Sequence, residues 1–469
     1  MSPFLLLLAG LILVVGGILF LRMHAFLALI LGAFCVAILT PEHALQQYAQ
    51  KRVEKGELTE KGAKEFLAKT PPARVAEGFG KTCADLGILI AMAAILGEAM
   101  LLSGAAESIA GALLRLMGAA RAHWAFFITS FFLTIPVFFE TTFYLLSPLA
   151  KAVARQTKRN YLLLIMCAVA GGTITHSLVP PTPGPSFVAG ELGVPIGLMM
   201  GMGCLIGMGA ALVGSAFAHW SNRRETLEVP AEDAAAVDSA LHRTLPPLSL
   251  SLIPVTLPVI LIALAAWLLP KHTDVPFAWS EYALRILGTK EMALTVGVCC
   301  ILVLLTRQRD RAAASKAVQT AISSGAAIIL LIAAGGAFGG VLRQTGISEL
   351  LGSMLSQTHL FTLPALFLIT MLVRTAQGSA TVAMITAAPI AKAFIDGGQS
   401  HVHPVYFALA IGCGSKPFSW MNDAGFWIIT RLSGLREAQT LRTVSPMMAI
   451  QGVAGLLLTM LAAWIWPMT

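Results

Sequence analysis

The sequence predicts an all-α protein that crosses a membrane many times. Of its 469 residues, 57% are hydrophobic and 12% are charged, and the mean hydropathy is +0.78, whereas about a quarter of the residues of a soluble protein are charged. The deficit of charge extends over the whole chain, which favours a bundle of spanning helices over a single anchor. The apolar runs are continuous and lack the alternation of barrel strands, so a membrane β-barrel is excluded.

Eight apolar segments are long enough to be read as full-length spans. They lie at residues 3–21, 25–40, 84–102, 195–218, 249–269, 291–306, 321–342 and 446–466. The first segment has neither a basic n-region nor a small-residue cleavage site, so we interpret it as a retained span and not as a signal peptide. The charged segment from Pro41 to Lys81 is predicted to form a helical pair outside the membrane.

The net charge of +8 would suggest nucleic-acid binding in a soluble protein. In a membrane protein, basic residues gather in cytoplasmic loops, so we expect no nucleic-acid partner and assign the charge to contact with the bilayer surface. None of the seven cysteines forms a Cys-x-x-Cys pair. The sequence therefore predicts no disulfide framework, no metal site and no cofactor.

The two halves of the chain repeat each other. The segment Ala94–Gly104 matches Gly336–Gly346 at an offset of 242 residues, and Pro148–Ala152 matches Pro389–Ala393 at an offset of 241. Three further glycines match at the second offset: Gly171, Gly184 and Gly193 fall on Gly412, Gly425 and Gly434. Internal repeats of this kind are typical of secondary transporters.

The repeats divide the chain into six parts. These are 1–82 (two spans and the extramembrane segment), 83–220 (repeat 1), 221–248 (a cytoplasmic linker), 249–316 (two scaffold spans), 317–440 (repeat 2) and 441–469 (a C-terminal span). Each repeat is predicted to contain a re-entrant hairpin, at 123–154 and 360–395, and a discontinuous helix, at 160–193 and 404–435. The prolines at positions 180, 181, 183 and 185 cannot continue a helix. Non-helical backbone cannot be exposed to lipid, because its polar groups would lack hydrogen-bond partners. The two broken segments are therefore expected to line a cavity enclosed by protein.

Topology follows from the positions of basic residues. With two re-entrant hairpins, an odd number of crossings separates equivalent points of the repeats, so the repeats are predicted to be inverted. Loops on one side then hold most of the basic residues, including Arg155, Lys158, Arg223 and Arg224. That side is expected to be the cytoplasm, with both termini in the periplasm of a bacterial inner membrane.

Ionisable residues near the four breaks are candidates for function, because such residues are rare inside membranes. Arg374 could bind a carboxylate through its planar guanidinium, or it could extend to the interface. Glu140 could carry a coupling proton if burial favours its neutral form, or it could form a structural salt bridge to Arg374 or Lys416. His176 could relay a proton, donate to a hydroxyl or simply pack. Asp423, with Asn422, could coordinate a cation, accept substrate hydroxyls or cap the following half-helix.

Hydroxyl side chains near the same breaks suit a polyol substrate. They are predicted to complete a substrate site with His176, Arg374, Lys416, Asn422 and Asp423; the set comprises Thr141, Thr142, Thr182, Ser186, Ser379 and Thr381. Glu140, Asp423 and His176 are the candidates for proton coupling. Half-helices that begin near Gly184 and Gly425 would present positive dipole ends to an anion.

The motifs resemble those of the gluconate permease family of the ion-transporter superfamily. The resemblance runs from about Gly78 to the C-terminus and is carried by five ordered motifs: Gly78-Phe79-Gly80, Glu140, Thr175-His176 with Pro180-Pro181-x-Pro183-Gly184-Pro185, Arg374 with Gly378-Ser379-Ala380-Thr381-Val382-Ala383, and Asn422-Asp423-x-Gly425-Phe426-Trp427. The resemblance implies proton symport of gluconate or related sugar acids by a homodimer, in which a transport domain moves against a scaffold as an elevator.

The chain departs from the family pattern at Thr182, Lys416 and Trp420. At Thr182 and Trp420 the family usually has histidine, and at Lys416 an apolar residue. A substrate with a second negative group, or a different coupling scheme, would fit the added cation.

Three other functions remain open at this point. The first is an intramembrane enzyme that uses Glu140, His176 and Asp423; the duplicated breaks favour transport, since an enzyme site needs no such symmetry. The second is a carboxylate transporter coupled to sodium, and the third is a passive anion channel.

Overall fold

The computed structural model describes residues 2–468, except 22, 55, 57, 158–159, 226, 230–244, 269–278, 309–310, 348–361, 397–401 and 422. The described part of the chain is all-helical, as the sequence predicts, and it contains no β-strand. The α-helices are α1 (Pro3–Leu19), α2 (Ala25–Leu39), α3 (Glu42–Glu54), α4 (Glu60–Leu67), α5 (Pro71–Leu102), α6 (Ala105–Met117), α7 (Ala122–Leu133), α8 (Phe139–Thr157), α9 (Tyr161–Leu178), α10 (Pro183–Leu192), α11 (Ile196–Asn222), α12 (Leu248–Leu268), α13 (Trp279–Leu287), α14 (Lys290–Gln308), α15 (Arg311–Arg343), α16 (Thr362–Gln377), α17 (Ala380–Asp396), α18 (Pro404–Gly414), α19 (Ala424–Ser433) and α20 (Glu437–Ile465).

Several helices are long and apolar enough to cross a bilayer. Within the described residues there are five such stretches, or up to seven if two bent pairs each count as one span: Pro71–Leu102, Tyr161–Leu192, Ile196–Asn222, Ala314–Arg343 and Glu437–Ile465. The segments predicted as spans are helical over most of their described residues. Five shorter apolar helices accompany them, and two of these, Pro3–Val14 and Leu248–Ile262, lie in segments predicted as full-length spans.

One predicted boundary is wrong. The charged segment does contain a helical pair, α3 and α4, joined by contact between Tyr48 and Phe66. The pair ends at Leu67, however, and the last residues of the segment belong to the long helix α5, which begins at Pro71. Proline is well suited to the first turn of a helix, because its missing N–H has no partner there in any case.

The internal repeat is visible in the backbone at a constant offset of 241 residues. Equivalent helix boundaries are the starts Phe139 and Ala380, the ends Leu192 and Ser433, and the starts Ile196 and Glu437. Both short half-helices, α10 and α19, end at a glycine in the left-handed region, Gly193 (φ +70°) and Gly434 (φ +71°). Only glycine adopts this conformation at little cost, so the two glycines end both half-helices in the same way.

The two broken helices occupy equivalent positions in the repeats, but their breaks differ in length. In the first half, four residues from Val179 to Thr182 separate α9 from α10, and in the second half nine residues from Ser415 to Asp423 separate α18 from α19. The residues that cap the following half-helices, Thr182 and Asp423, are again 241 positions apart.

The two broken helices cross in close contact. A Cβ atom at Gly412 of α18 would lie 2.6 Å from the carbonyl oxygen of Ser177 in α9, so only glycine permits this approach. Helices α7–α11 and α16–α20 pack mainly on one another and enclose this crossing, whereas α1, α2, α5, α12, α14 and α15 form a second packed group.

Candidate functional site

A cavity of about 240 Å³ lies between the two broken helices and the starts of α8 and α17. Both repeats contribute to its wall. The polar side chains that line it are Glu140, Thr173, His176, Ser177, Arg374, Ser379, Thr381, Lys416, Ser419 and Asp423. Every ionisable residue predicted from the four breaks therefore faces one cavity.

Arg374 is fully enclosed at the end of α16. Its side chain is 2% exposed, so the alternative of an arginine extending to the interface is wrong. One Nη atom donates to a carboxylate oxygen of Asp423, and Nε donates to the carbonyl oxygen of Ser415 at 3.1 Å. The other Nη atom is buried without a hydrogen-bond partner among the described residues. The guanidinium is thus held by the second break and keeps one donor group available.

Asp423 both caps α19 and pairs with Arg374. One carboxylate oxygen accepts from the backbone N–H of Gly425 at 2.9 Å. The other accepts from Arg374 and from the hydroxyl of Ser419. Capping and participation in the cavity, which the sequence left as alternatives, occur together. Because its carboxylate occupies the positive end of α19, that helix end is already neutralised.

Lys416 lies in the second break and is 2% exposed. Its Nζ atom donates to the carbonyl oxygen of Thr173 at 2.7 Å and lies 3.5 Å from the hydroxyl of Ser177, both on α9 of the other half. No carboxylate among the described residues lies within ion-pair distance of this ammonium.

Glu140 and His176 face the same cavity from α8 and α9. The proposed salt bridge from Glu140 to Arg374 or Lys416 does not form within the described residues; the carboxylate partner of Arg374 is Asp423. The Nδ1 atom of His176 is buried without a partner among the described residues, and its ring contacts Phe138 edge to face. Glu140, His176 and Lys416 therefore line the same cavity.

The predicted hydroxyl ligands separate into two groups. Ser379 and Thr381 line the cavity, whereas Thr141, Thr142, Thr182 and Ser186 are not among the residues that line it. Thr182 donates to the carbonyl oxygen of Val179 at 2.6 Å within the first break. Asn422 lies outside the described residues.

Three polar residues of the cavity wall were missed from the sequence: Thr173, Ser177 and Ser419. Thr173 and Ser177 are four residues apart on α9 and His176 lies beside them, so one face of an otherwise apolar helix is polar. That spacing is a signal that could have identified them. Ser419 precedes Asp423 by four residues, but its bond to that carboxylate depends on the path of the break.

Comparison with known proteins identifies related transporters. Residues 69–465 match the model of the GntP family permeases. An uncharacterized permease of Haemophilus influenzae is 31% identical over 396 residues, covering 81% of each chain. A gluconate permease of Pseudomonas aeruginosa is 30% identical over 400 residues (82% of this chain and 86% of that one). A high-affinity gluconate transporter of Escherichia coli is 29% identical over 401 residues (83% and 88%).

Two solved structures share the fold. MtrF of Neisseria gonorrhoeae, described among a class of antimetabolite efflux pumps, superposes with a TM-score of 0.64 at 15% identity, covering 84% of this chain and 83% of that one. The YdaH transporter of Alcanivorax borkumensis, described as having an unusual topology, gives a TM-score of 0.61 at 16% identity (87% and 90%). Both are membrane transporters.

Proposed function

Because the chain belongs to the GntP family of permeases, we propose that it imports gluconate or a related sugar acid together with protons, by alternating access. As a member of a permease family it is a multi-pass inner-membrane transporter and not an enzyme. The substrate class, the coupling ion and the mode of movement are the proposed parts.

The cavity at the crossing of the two broken helices carries this proposal. Its wall combines two cations, Arg374 and Lys416, with the hydroxyls of Ser379 and Thr381. Cations suit a carboxylate, and hydroxyl groups can exchange hydrogen bonds with a polyol chain. A small hydroxylated anion satisfies both kinds of group.

Glu140 is the proposed site of proton binding. It faces the cavity without a hydrogen bond among the described residues, while the other cavity carboxylate, Asp423, is bonded by Arg374, Ser419 and Gly425. Both carboxylate oxygens of Asp423 already accept hydrogen bonds, which leaves Glu140 as the carboxylate with free oxygens among the described cavity residues.

The proposed movement is a displacement of the group α7–α11 and α16–α20 against the other packed group, as in an elevator. At the boundary Gly339 of α15 lies against Pro389 of α17, where a Cβ atom would meet the proline ring at 2.7 Å. Gly97, 242 residues earlier, lies against Val137, where a Cβ atom would meet the Cα atom of Val137 at 3.5 Å. At these two positions glycine has no side chain that could interlock with the opposing segment and hinder sliding. Inverted repeats, periplasmic termini and a homodimer belong to the same proposal.

Reconstitution in liposomes tests the proposal. A proton gradient, inside alkaline, should drive accumulation of labelled gluconate, and Glu140→Gln should abolish accumulation while exchange of labelled for unlabelled gluconate continues. Glu98→Gln is the matched control, since Glu98 is a carboxylate of α5 outside the cavity; this variant should accumulate substrate normally. Accumulation by Glu140→Gln at the wild-type rate would show that Glu140 is not the proton-binding site. A requirement for sodium would show that the coupling ion is sodium and not the proton.

A further inference from the structure

The charges around the cavity do not cancel. Arg374 and Asp423 form a buried ion pair with each other, and together they contribute no net charge. Lys416 has only neutral acceptors, a backbone carbonyl and a hydroxyl, among the described residues. When Lys416 is protonated, one positive charge therefore remains in the cavity wall, and Glu140 is the one other carboxylate in the described lining that can balance it.

Lys416 has a donor left for a further partner. An ammonium group has three N–H donors, and two are directed at Thr173 and Ser177. A buried ammonium without a counter-charge is costly, so an anion that enters the cavity gains from binding there. Glu140 lines the same cavity and forms no direct contact with Lys416 among the described residues.

We propose that Lys416 binds the carboxylate of the substrate and that the substrate and Glu140 alternate as its counter-ion. This inference rests on the proposed function, and it adds an account of how the charge of the cavity stays balanced through the transport cycle. In the empty cavity ionised Glu140 balances Lys416. In the loaded cavity Glu140 has taken up a proton, and the substrate carboxylate balances Lys416 instead. Both forms are neutral.

The transfer balances in atoms and charge. Glu140 takes one proton from the outer solution as the substrate anion enters, and it releases that proton to the inner solution as the anion leaves. The result of one cycle is one proton and one monoanion moved inward, with no net charge. A neutral cavity also costs least to move through the membrane, because a charge in a medium of low dielectric constant is unfavourable.

The other titratable groups around Glu140 do not alter this balance. They are His176 on α9, Arg374 on α16, and Lys416 and Asp423 in the second break. Arg374 stays protonated at any working pH, and it pairs with Asp423, so the two together add no net charge. A charged His176 would place a buried N–H without an acceptor next to two cations, so the imidazole stays neutral.

The wild-type protein in liposomes gives the first test. With an inside-alkaline gradient of one pH unit, gluconate should accumulate about tenfold at equilibrium. An imposed potassium diffusion potential of either sign should leave both the rate and the final level unchanged. Acceleration by an inside-negative potential would mean that more than one proton accompanies each anion, and it would overturn this inference while leaving proton-coupled gluconate transport intact. Absence of proton-driven gluconate uptake would overturn the proposed function and this inference with it.

Lys416→Met and Lys416→Arg give the second test. Methionine keeps the length of the side chain and removes the charge, so gluconate affinity should fall about tenfold or more. The empty and the loaded cavity would then each carry one negative charge, so the rate of residual uptake should change when a potential is imposed. Lys416→Arg should keep uptake independent of potential. Lys392→Met is the matched control, because Lys392 is a partly exposed lysine paired with Asp396 outside the cavity; it should behave as the wild type.

A merely structural lysine would lower the amount of folded protein without changing the response to potential. Wild-type affinity and potential-independent uptake in Lys416→Met would therefore contradict the proposal. If that variant does not purify as a monodisperse protein, the wild-type measurement and Lys416→Arg decide the question.

Discussion

The two breaks share one backbone plan and differ in chemistry. The first break is short, rich in proline, and closed by a hydrogen bond from Thr182 to Val179. The second is longer and holds Lys416, Ser419 and Asp423, all three in the cavity wall. The start of α19 faces the cavity, whereas Pro183 and Gly184 at the start of α10 are absent from the described lining.

The comparison shows that the two halves share their backbone features and differ in the side chains of the cavity. Helix boundaries and the two left-handed glycines repeat at one offset, because they are needed to fold each half. The Arg374–Asp423 ion pair and Lys416 of the cavity wall lie in the second half. The first half supplies the acceptors of Lys416 and the side chains of Glu140 and His176. The binding site therefore depends on both halves, although most of its fixed charge lies in one.

The largest expected difference is between the two capping residues. Asp423→Asn leaves Arg374 buried without a counter-charge, and breaking a buried pair in this way costs about 3–5 kcal/mol. Thr182→Val removes one neutral hydrogen bond, at a cost of about 1 kcal/mol. Thermal unfolding of both purified variants measures the contrast. Equal shifts in melting temperature would show that the two breaks are energetically alike and that the ion pair adds nothing.

A second difference is expected between two arginine–carboxylate pairs, of which one is buried and the other is partly exposed. Arg374→Lys keeps the charge but loses the planar fork that reaches Asp423 and Ser415 together, so gluconate affinity should fall about tenfold. Arg343, which pairs with Glu191 outside the cavity, provides the control. Arg343→Lys should leave affinity unchanged in the same binding assay. A loss of affinity in both variants would point to a general loss of structure.

The smallest expected difference is between the equivalent glycines Gly184 and Gly425. A Cβ atom at Gly184 would lie 2.1 Å from the end of the Met384 side chain, whereas one at Gly425 would meet nothing closer than Asp423 at 3.4 Å. Gly184→Ala should therefore lower stability by about 1–3 kcal/mol, nearer the lower value because methionine can move aside. Gly425→Ala should leave the melting temperature nearly unchanged and weaken gluconate binding, since its methyl group enters the cavity. The reverse pattern would assign the binding cavity to the first break.

Local signals in the sequence were sufficient to predict the breaks and their register. Proline and glycine act on the backbone where they stand, so the prolines at 180–185 and the matched Gly193 and Gly434 could be read without a structure. The start of α5 was placed too late, because the polar residues after Pro71 resemble a loop although they continue the helix.

Long-range partners could not be predicted in this way. Arg374 and Asp423 are 49 residues apart on different elements, and Lys416 reaches the carbonyl oxygen of Thr173, 243 residues earlier. The sequence offered Glu140 as an equally reasonable partner for either cation. The choice depends on how the second break folds over α16 and on the close crossing at Gly412, neither of which leaves a local pattern.

A structure of the purified protein with bound gluconate tests the central claim most directly. The account predicts density for the ligand at the crossing of the broken helices, with its carboxylate beside Nζ of Lys416 and within reach of the unpaired Nη atom of Arg374. Its hydroxyls should contact Ser379 and Thr381. Ligand density in another part of the molecule, or a carboxylate bound away from both cations, would contradict the account.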